Sequence, residues 1–241
     1  MFSTLWHRAL APQGPPPALL VILTAACALA VVAYRPVWKV IRNVVTIVHE
    51  SGHAVAAVLV GRRLQSIRLR SDTSGLTVTK GRPRGFGMVM TLVVGYITPS
   101  LLGLGGAALL AHGHAPVALW ALLLIFVGVL VLIRNFYGLI AVVLAGAAVF
   151  AVSWFAPAKA QQAFAFFAVW VLLVGGVRPL FELAAQRRRE RTPGSDVDQL
   201  AAITPVAPGL WLFLFTLFSL GALVLGALVI NLPGAVKGIG T

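Results

Sequence analysis

The chain has 241 residues, 59% of them hydrophobic and only 10% charged, and its mean hydropathy is +0.95. A soluble domain carries about a quarter charged residues, so the composition excludes a soluble enzyme and describes a polytopic membrane protein. The formal net charge of +13 does not point to nucleic acid, because the Lys and Arg residues lie in loops between apolar runs.

In chain order, a Pro-rich segment (Pro12, Pro15, Pro16, Pro17) that cannot be helical precedes a first apolar span over 18–34. That span is read as a retained helix and not a cleaved leader: Thr24 stands three before Cys27 where a lipoprotein signal needs a large aliphatic residue, and the preceding charge is Arg8. Cys27 is the one cysteine, which excludes an internal disulfide and a Cys-based metal site. Arg35-Pro36 marks a turn, and a second span covers 38–60 with Gly61 placed to cap it. The polar stretch 62–85 follows. Within it Ile67 and Leu69, then Leu76 and Val78, alternate with polar residues around Ser71-Asp72-Thr73-Ser74-Gly75, which predicts a short β-hairpin. Further spans are predicted over 86–110 (with Pro99 inside it), 116–133, 137–155, 160–177 and 208–230, with a tight loop at His112-Gly113-His114. The whole of 1–241 thus reads as one integral membrane domain, all-α apart from the hairpin, with six to seven transmembrane helices.

Loop charge sets an orientation. With a cytoplasmic N-terminus, Arg8, the seven Lys and Arg from Arg62 to Arg84, Arg134, and the five from Arg178 to Arg191 face inside. Only Arg35, Lys39, Arg42, Lys159 and Lys237 face outside. The expectation is a multi-pass protein of the cell membrane, with the hairpin on the cytoplasmic face.

The second span contains His49-Glu50-Ser51-Gly52-His53, an H-E-x-x-H run inside a membrane helix. Ionisable groups cost several kcal/mol at bilayer depth, so such a cluster marks function. On a helix the two imidazoles lie one turn apart on one face, about 6 Å between Cβ atoms, where they can share a zinc ion, and Glu50 is placed to handle a water proton. Catalytic zinc takes three protein ligands and leaves one position open. The chain has only six acids: Glu50, Asp72, Glu182, Glu190, Asp196 and Asp198. Asp72 suits a hairpin turn, and Glu182 and Glu190 flank an arginine run, either solvated or in salt bridges. Asp196 and Asp198 stand where a polar segment re-enters an apolar one, on the side of the histidines. Both remain candidates for the third ligand, against the simpler reading that Ser195 or Asp196 caps a helix. Asn135, at a span end, is a candidate to orient a substrate carbonyl or to cap its helix.

These residues resemble the site-2 protease family of intramembrane zinc metallopeptidases, in particular its small bacterial branch. The resemblance is strongest over 49–79 and continues in Gly95-Tyr96, Pro99-Ser100, Arg134-Asn135 and Ser195-Asp196 through Leu200. It implies zinc on His49, His53 and Asp196, Glu50 as general base, and a single-span membrane protein as substrate, an anti-sigma factor being one example. The chain departs from the better-studied members in having no Leu-Asp-Gly tripeptide, where they carry the third ligand. That departure keeps open a second reading, an inactive zinc-binding membrane scaffold or regulator of the same fold.

Overall fold

In a computed structural model, residues 12–189 and 194–231 are described; Arg8, Glu190, Arg191 and Lys237 lie outside them. Backbone N–H and C=O groups find no water in a bilayer, so each apolar run closes its hydrogen bonds internally as a helix. The helices are α1 (Ala18–Ala33), α2 (Arg35–Leu59), α3 (Phe86–Ala111), α4 (Ala115–Leu132), α5 (Phe136–Phe155), α6 (Ala158–Arg189), α7 (Asp196–Ile203) and α8 (Pro208–Val229). A two-stranded antiparallel hairpin, β1 (Arg63–Leu69) and β2 (Gly75–Lys80), lies between α2 and α3.

Five of these helices, α3 to α6 and α8, are long and apolar enough to cross a membrane, and α1 with α2 forms a sixth path bent by 103°. Against the six to seven crossings expected, the described residues hold five, or six with the bent pair. α1 has 16 residues, about 24 Å, short of a hydrocarbon core of about 30 Å. α2 carries Arg35, Lys39, Arg42, Asn43, His49, Glu50 and His53, which keep it from qualifying alone. α6 runs on to Arg189, so part of the expected basic loop is helix, with Arg187 to Arg189 in its last turn where cations suit the helix dipole.

The bend also alters which segments share a side. Gln13 N–H donates to the Gly113 carbonyl (2.8 Å), and the Gln162 side chain donates to the Gly14 carbonyl (3.0 Å). α3, 26 residues long, separates that end from the hairpin. Residues 13–14 thus lie at the end opposite the hairpin, where two full crossings would have returned them to the hairpin's side.

α3 and α6 form the centre of the bundle. Gly103 and Gly106 of α3 pack against Leu173 and Val169 of α6, and Gly175 of α6 packs against Val45 and Trp38 of α2, contacts that small residues allow. Glu182 of α6 anchors the start of α2: it accepts from Trp38 Nε1 (2.9 Å) and Arg178 Nε (2.8 Å) and pairs with Arg42 (3.1 Å). Of the two roles read for Glu182, solvated or salt-bridged, the second holds. Gly61 ends α2 in the left-handed region (φ +74°), and the Arg62 N–H returns to the Ala57 carbonyl.

The hairpin lies along α2. Ile67 stands opposite Thr77 and Leu69 opposite Gly75. At its tip Asp72 Oδ1 accepts from the Ser74 N–H (2.9 Å) and hydroxyl (2.6 Å), the turn-forming role expected of it. Those two bonds hold its carboxyl below the usual carboxylate range. The Thr46 hydroxyl ties the tip to α2 by donating to the Thr73 carbonyl (2.9 Å).

Candidate metal centre

His49 and His53 do lie on one face of α2, with 2.9 Å between their Nε2 atoms. Asp196, the first residue of α7, brings Oδ2 to 3.2 Å from His49 Nε2 and 3.1 Å from His53 Nε2. Three donor atoms from two helices thus meet in one triangle. Tetrahedral zinc with bonds near 2.0–2.1 Å separates its ligands by about 3.3 Å, so the set fits that ion. Glu50 is beside it: donor atoms of His49, Glu50 and His53 lie within 4.8 Å of one another.

The tautomers fit as well. His53 Nδ1 lies 2.7 Å from the Thr91 carbonyl, which only an N–H can satisfy. Neutral His53 therefore turns a bare Nε2 lone pair towards the Asp196 carboxylate. Two lone pairs 3.1 Å apart repel unless a proton or a metal cation lies between them. With a proton between them and no metal, burial pushes the Asp196 carboxyl up, but the positive charge of His53 and the bonds from His49 and His53 outweigh it and hold the group well below the ordinary carboxylate range, so Asp196 presents a carboxylate to whichever cation lies there.

The surrounding elements explain how a polar cluster is kept in an apolar bundle. Any Cβ at Gly95 of α3 would run into the His53 imidazole, and one at Gly52 would meet the Thr98 side chain, so glycine lets α2 and α3 approach. Tyr96 sets its ring edge-on to His49 (4.9 Å between centroids) and stacks on Phe215 of α8 (4.9 Å). From the hairpin, Thr77 donates its hydroxyl to Glu50 Oε2 (2.5 Å), and a Cβ at Gly75 would strike the Glu50 side chain.

Asp198 faces away from the triangle. It pairs with Arg187 and accepts from the Ser195 hydroxyl (2.6 Å), while Ser195 Oγ caps α7 by accepting from the Asp198 N–H (3.3 Å). The helix cap and the acid beside the histidines are thus neighbouring residues, and the two readings of this segment coexist. Burial raises the Asp198 carboxyl, but the Ser195 bonds and Arg187 outweigh it and hold it low. His112 and His114 lie at the far end of α3, away from the cluster. Asn135 neither faces the metal triangle nor caps α5 with its side chain. Its amide clamps β1, donating to the Leu69 carbonyl (2.6 Å) and accepting from the Leu69 N–H (3.1 Å). With Arg134 N–H on the Ile67 carbonyl (3.0 Å), this occupies the outer edge of β1 over 67–69. Thr77, Gly75 and Thr91 escaped the sequence reading; a Gly and a Thr two apart on the strand after the H-E-x-x-H helix mark the first two, and no local pattern marks Thr91 in α3.

A family model described as Peptidase M50B-like matches residues 22–226. The chain belongs to this family. It is thereby a member of the site-2 protease group of membrane metallopeptidases, and the M50B-like match covers the metal triangle, the hairpin and every candidate crossing apart from the first residues of α1 and the last of α8. No curated protein and no solved structure matches the chain.

Proposed function

We propose that this M50B-like protein is an intramembrane zinc endopeptidase that cleaves single-span membrane proteins, such as a membrane-tethered regulator, and that His49, His53 and Asp196 hold the zinc. The observation that carries the proposal is the convergence of these three donors with Glu50 alongside. Zinc in such a site supplies a Lewis acid that makes water acidic near neutral pH and polarises the scissile carbonyl. Glu50 takes the proton of the attacking water and gives it to the departing amine. Thr77 holds the Glu50 carboxylate in place for both transfers. The buried surroundings of His53 and Glu50 limit competing water.

A substrate helix hides its carbonyls in its own hydrogen bonds and must be unwound before attack. Pairing with the hairpin would hold it extended. The outward-facing groups of β1 are already taken at Ile67 and Leu69, so the edge open to a substrate strand is that of β2, through Gly75, Thr77 and Thr79. The orientation we propose keeps the hairpin in the cytoplasm. Loop charge supports it: Lys159 stands at the end marked by Gly14, while the hairpin, Arg134 and Arg178 to Arg189 carry the basic residues of the other end.

The test is to purify the wild type and Glu50→Gln, measure bound zinc and assay single-span substrates. Zinc in both with cleavage by the wild type alone supports the peptidase. Absence of zinc from the wild type overturns it, and zinc without cleavage in either protein favours the scaffold reading.

A further inference from the structure

A slot of about 890 Å³ lies between α2, α4, α5, α6 and the hairpin tip. His49, Glu50, His53 and Asp196 do not line it. Its polar residues are confined to one end, where Lys39, Arg42, Asn43, Asp72 and Tyr137 meet; the remainder is apolar, walled by residues such as Phe126, Leu144, Ala148, Val149 and Phe167. From Tyr137 to Val149 α5 rises about 18 Å, slightly more than half of a hydrocarbon core of about 30 Å. The slot therefore has the length of one leaflet's acyl chains. Val40, Ile140 and Leu144 are exposed on its walls, so it opens sideways to lipid.

The charge at the polar end selects the occupant. Lys39 has no ion-pair partner among the described residues, and Arg42 directs Nη1 to Glu182. The opposing carboxylate, Asp72, is turned into the hairpin by its two bonds from Ser74. Asn43 returns its amide N–H groups to the α2 backbone and accepts from the Tyr137 hydroxyl (3.1 Å), which joins the two walls at the mouth. An apolar slot gains nothing from water, and acyl chains alone would leave Lys39 without an anion and Arg42 with Glu182 as its one ion-pair partner among the described residues.

We propose that this slot binds one anionic glycerophospholipid, its phosphate between Lys39 and Arg42 and its acyl chains along α5. The site is separate from the metal triangle and does not depend on the peptidase reading. Because the lipid touches the hairpin tip at Asp72 and Thr73, its occupancy bears on the strand that carries Thr77.

The experiment is to titrate the purified protein with phosphatidylglycerol or phosphatidylcholine and count retained lipid by native mass spectrometry. One phosphatidylglycerol should be retained in preference to phosphatidylcholine. Lys39→Gln should weaken that retention roughly fivefold, the effect of one surface cation on an anionic lipid. Ala148→Trp should fill the slot and abolish retention of the bound lipid, with zinc content unchanged in both variants. Equal retention of the two lipids overturns the proposal, as does wild-type retention by Lys39→Gln. Should Ala148→Trp not fold, the headgroup comparison and Lys39→Gln decide alone. Capture of a single-span substrate and not of lipid by a photo-crosslinker at Ala148 also overturns it.

Discussion

His53 Nδ1 lies 2.7 Å from the Thr91 carbonyl, and that one hydrogen bond determines which ring nitrogen faces His49 and Asp196. The acceptor is backbone, so it depends on how closely α3 approaches α2 at Gly95. Gly95→Ala inserts a methyl into the space of the imidazole. Zinc affinity should fall roughly 10–100-fold, the usual cost of losing an outer partner of a ligating histidine. A competition titration against a chelator measures it, and wild-type affinity in Gly95→Ala would mean that the ring is not held from Thr91.

Thr77 tests the hairpin's part in the chemistry. Its hydroxyl donates to Glu50 Oε2, a bond to a charged group, and nothing links it to the three metal donors. Thr77→Val keeps shape and removes that donor, and such bonds contribute about 1.5–3 kcal/mol. Cleavage should drop roughly tenfold or more at unchanged zinc content. Loss of zinc along with activity would show that Thr77 supports the fold and not the base.

Much of this arrangement is legible in the sequence, for physical reasons that also mark where legibility stops. A four-residue spacing on a helix puts His49 and His53 together whatever the surroundings. The period-two pattern around Asp72 yields the hairpin but not which face turns inward. Leu76 is 45% exposed, while Gly75 and Thr77, opposite the buried Leu69 and Ile67, face Glu50. Arg35-Pro36 reads as a turn between two crossings, and Val, Ile and Trp between Arg35, Lys39 and Arg42 keep the stretch after it apolar on average. Glu182, 140 positions from Arg42, is what accepts that charged turn, and a partner so distant leaves no local pattern. Asp196 and Asp198 are alike by composition. Only the contact with Arg187 and Ser195 turns one of them away.

The two aspartates make opposite predictions. Asp196→Ala removes one of the three converging donors, and the protein should lose zinc on dialysis. Asp198→Asn should keep it, with stability at pH 7 lower by no more than about 1 kcal/mol, the scale of an ion pair near the surface. The acid side has a definite sign. Asp198 titrates below its ordinary range in the folded chain, so its bonds to Ser195 and Arg187 are intact above that range and lost as pH falls through the lowered value. The wild type should therefore lose its advantage over Asp198→Asn in strongly acidic buffer and keep it at neutral pH. Thermal melts of both proteins across pH check this, and retention of zinc by Asp196→Ala would remove Asp196 from the ligand set.

The open edge of β2 sets the last test. Ile67 and Leu69 direct their main-chain groups away from β2, towards Arg134 and Asn135, so their partners Thr77 and Gly75 direct theirs away from β1. Alternation along β2 extends this to Thr79, while Leu76 and Val78 face the hairpin ladder. Proline at Val78 would therefore damage the hairpin ladder itself, and proline at Leu69 would remove the N–H that Asn135 accepts. Thr79→Pro removes an outward N–H instead, and Thr79→Val removes only the hydroxyl that Arg62 contacts at 3.1 and 3.2 Å. If a substrate strand adds to this edge, Thr79→Pro should lower cleavage roughly tenfold, the worth of about one hydrogen bond, while Thr79→Val stays near wild type and both keep zinc. Matching activities in the two variants would show that the substrate is held extended by something other than β2.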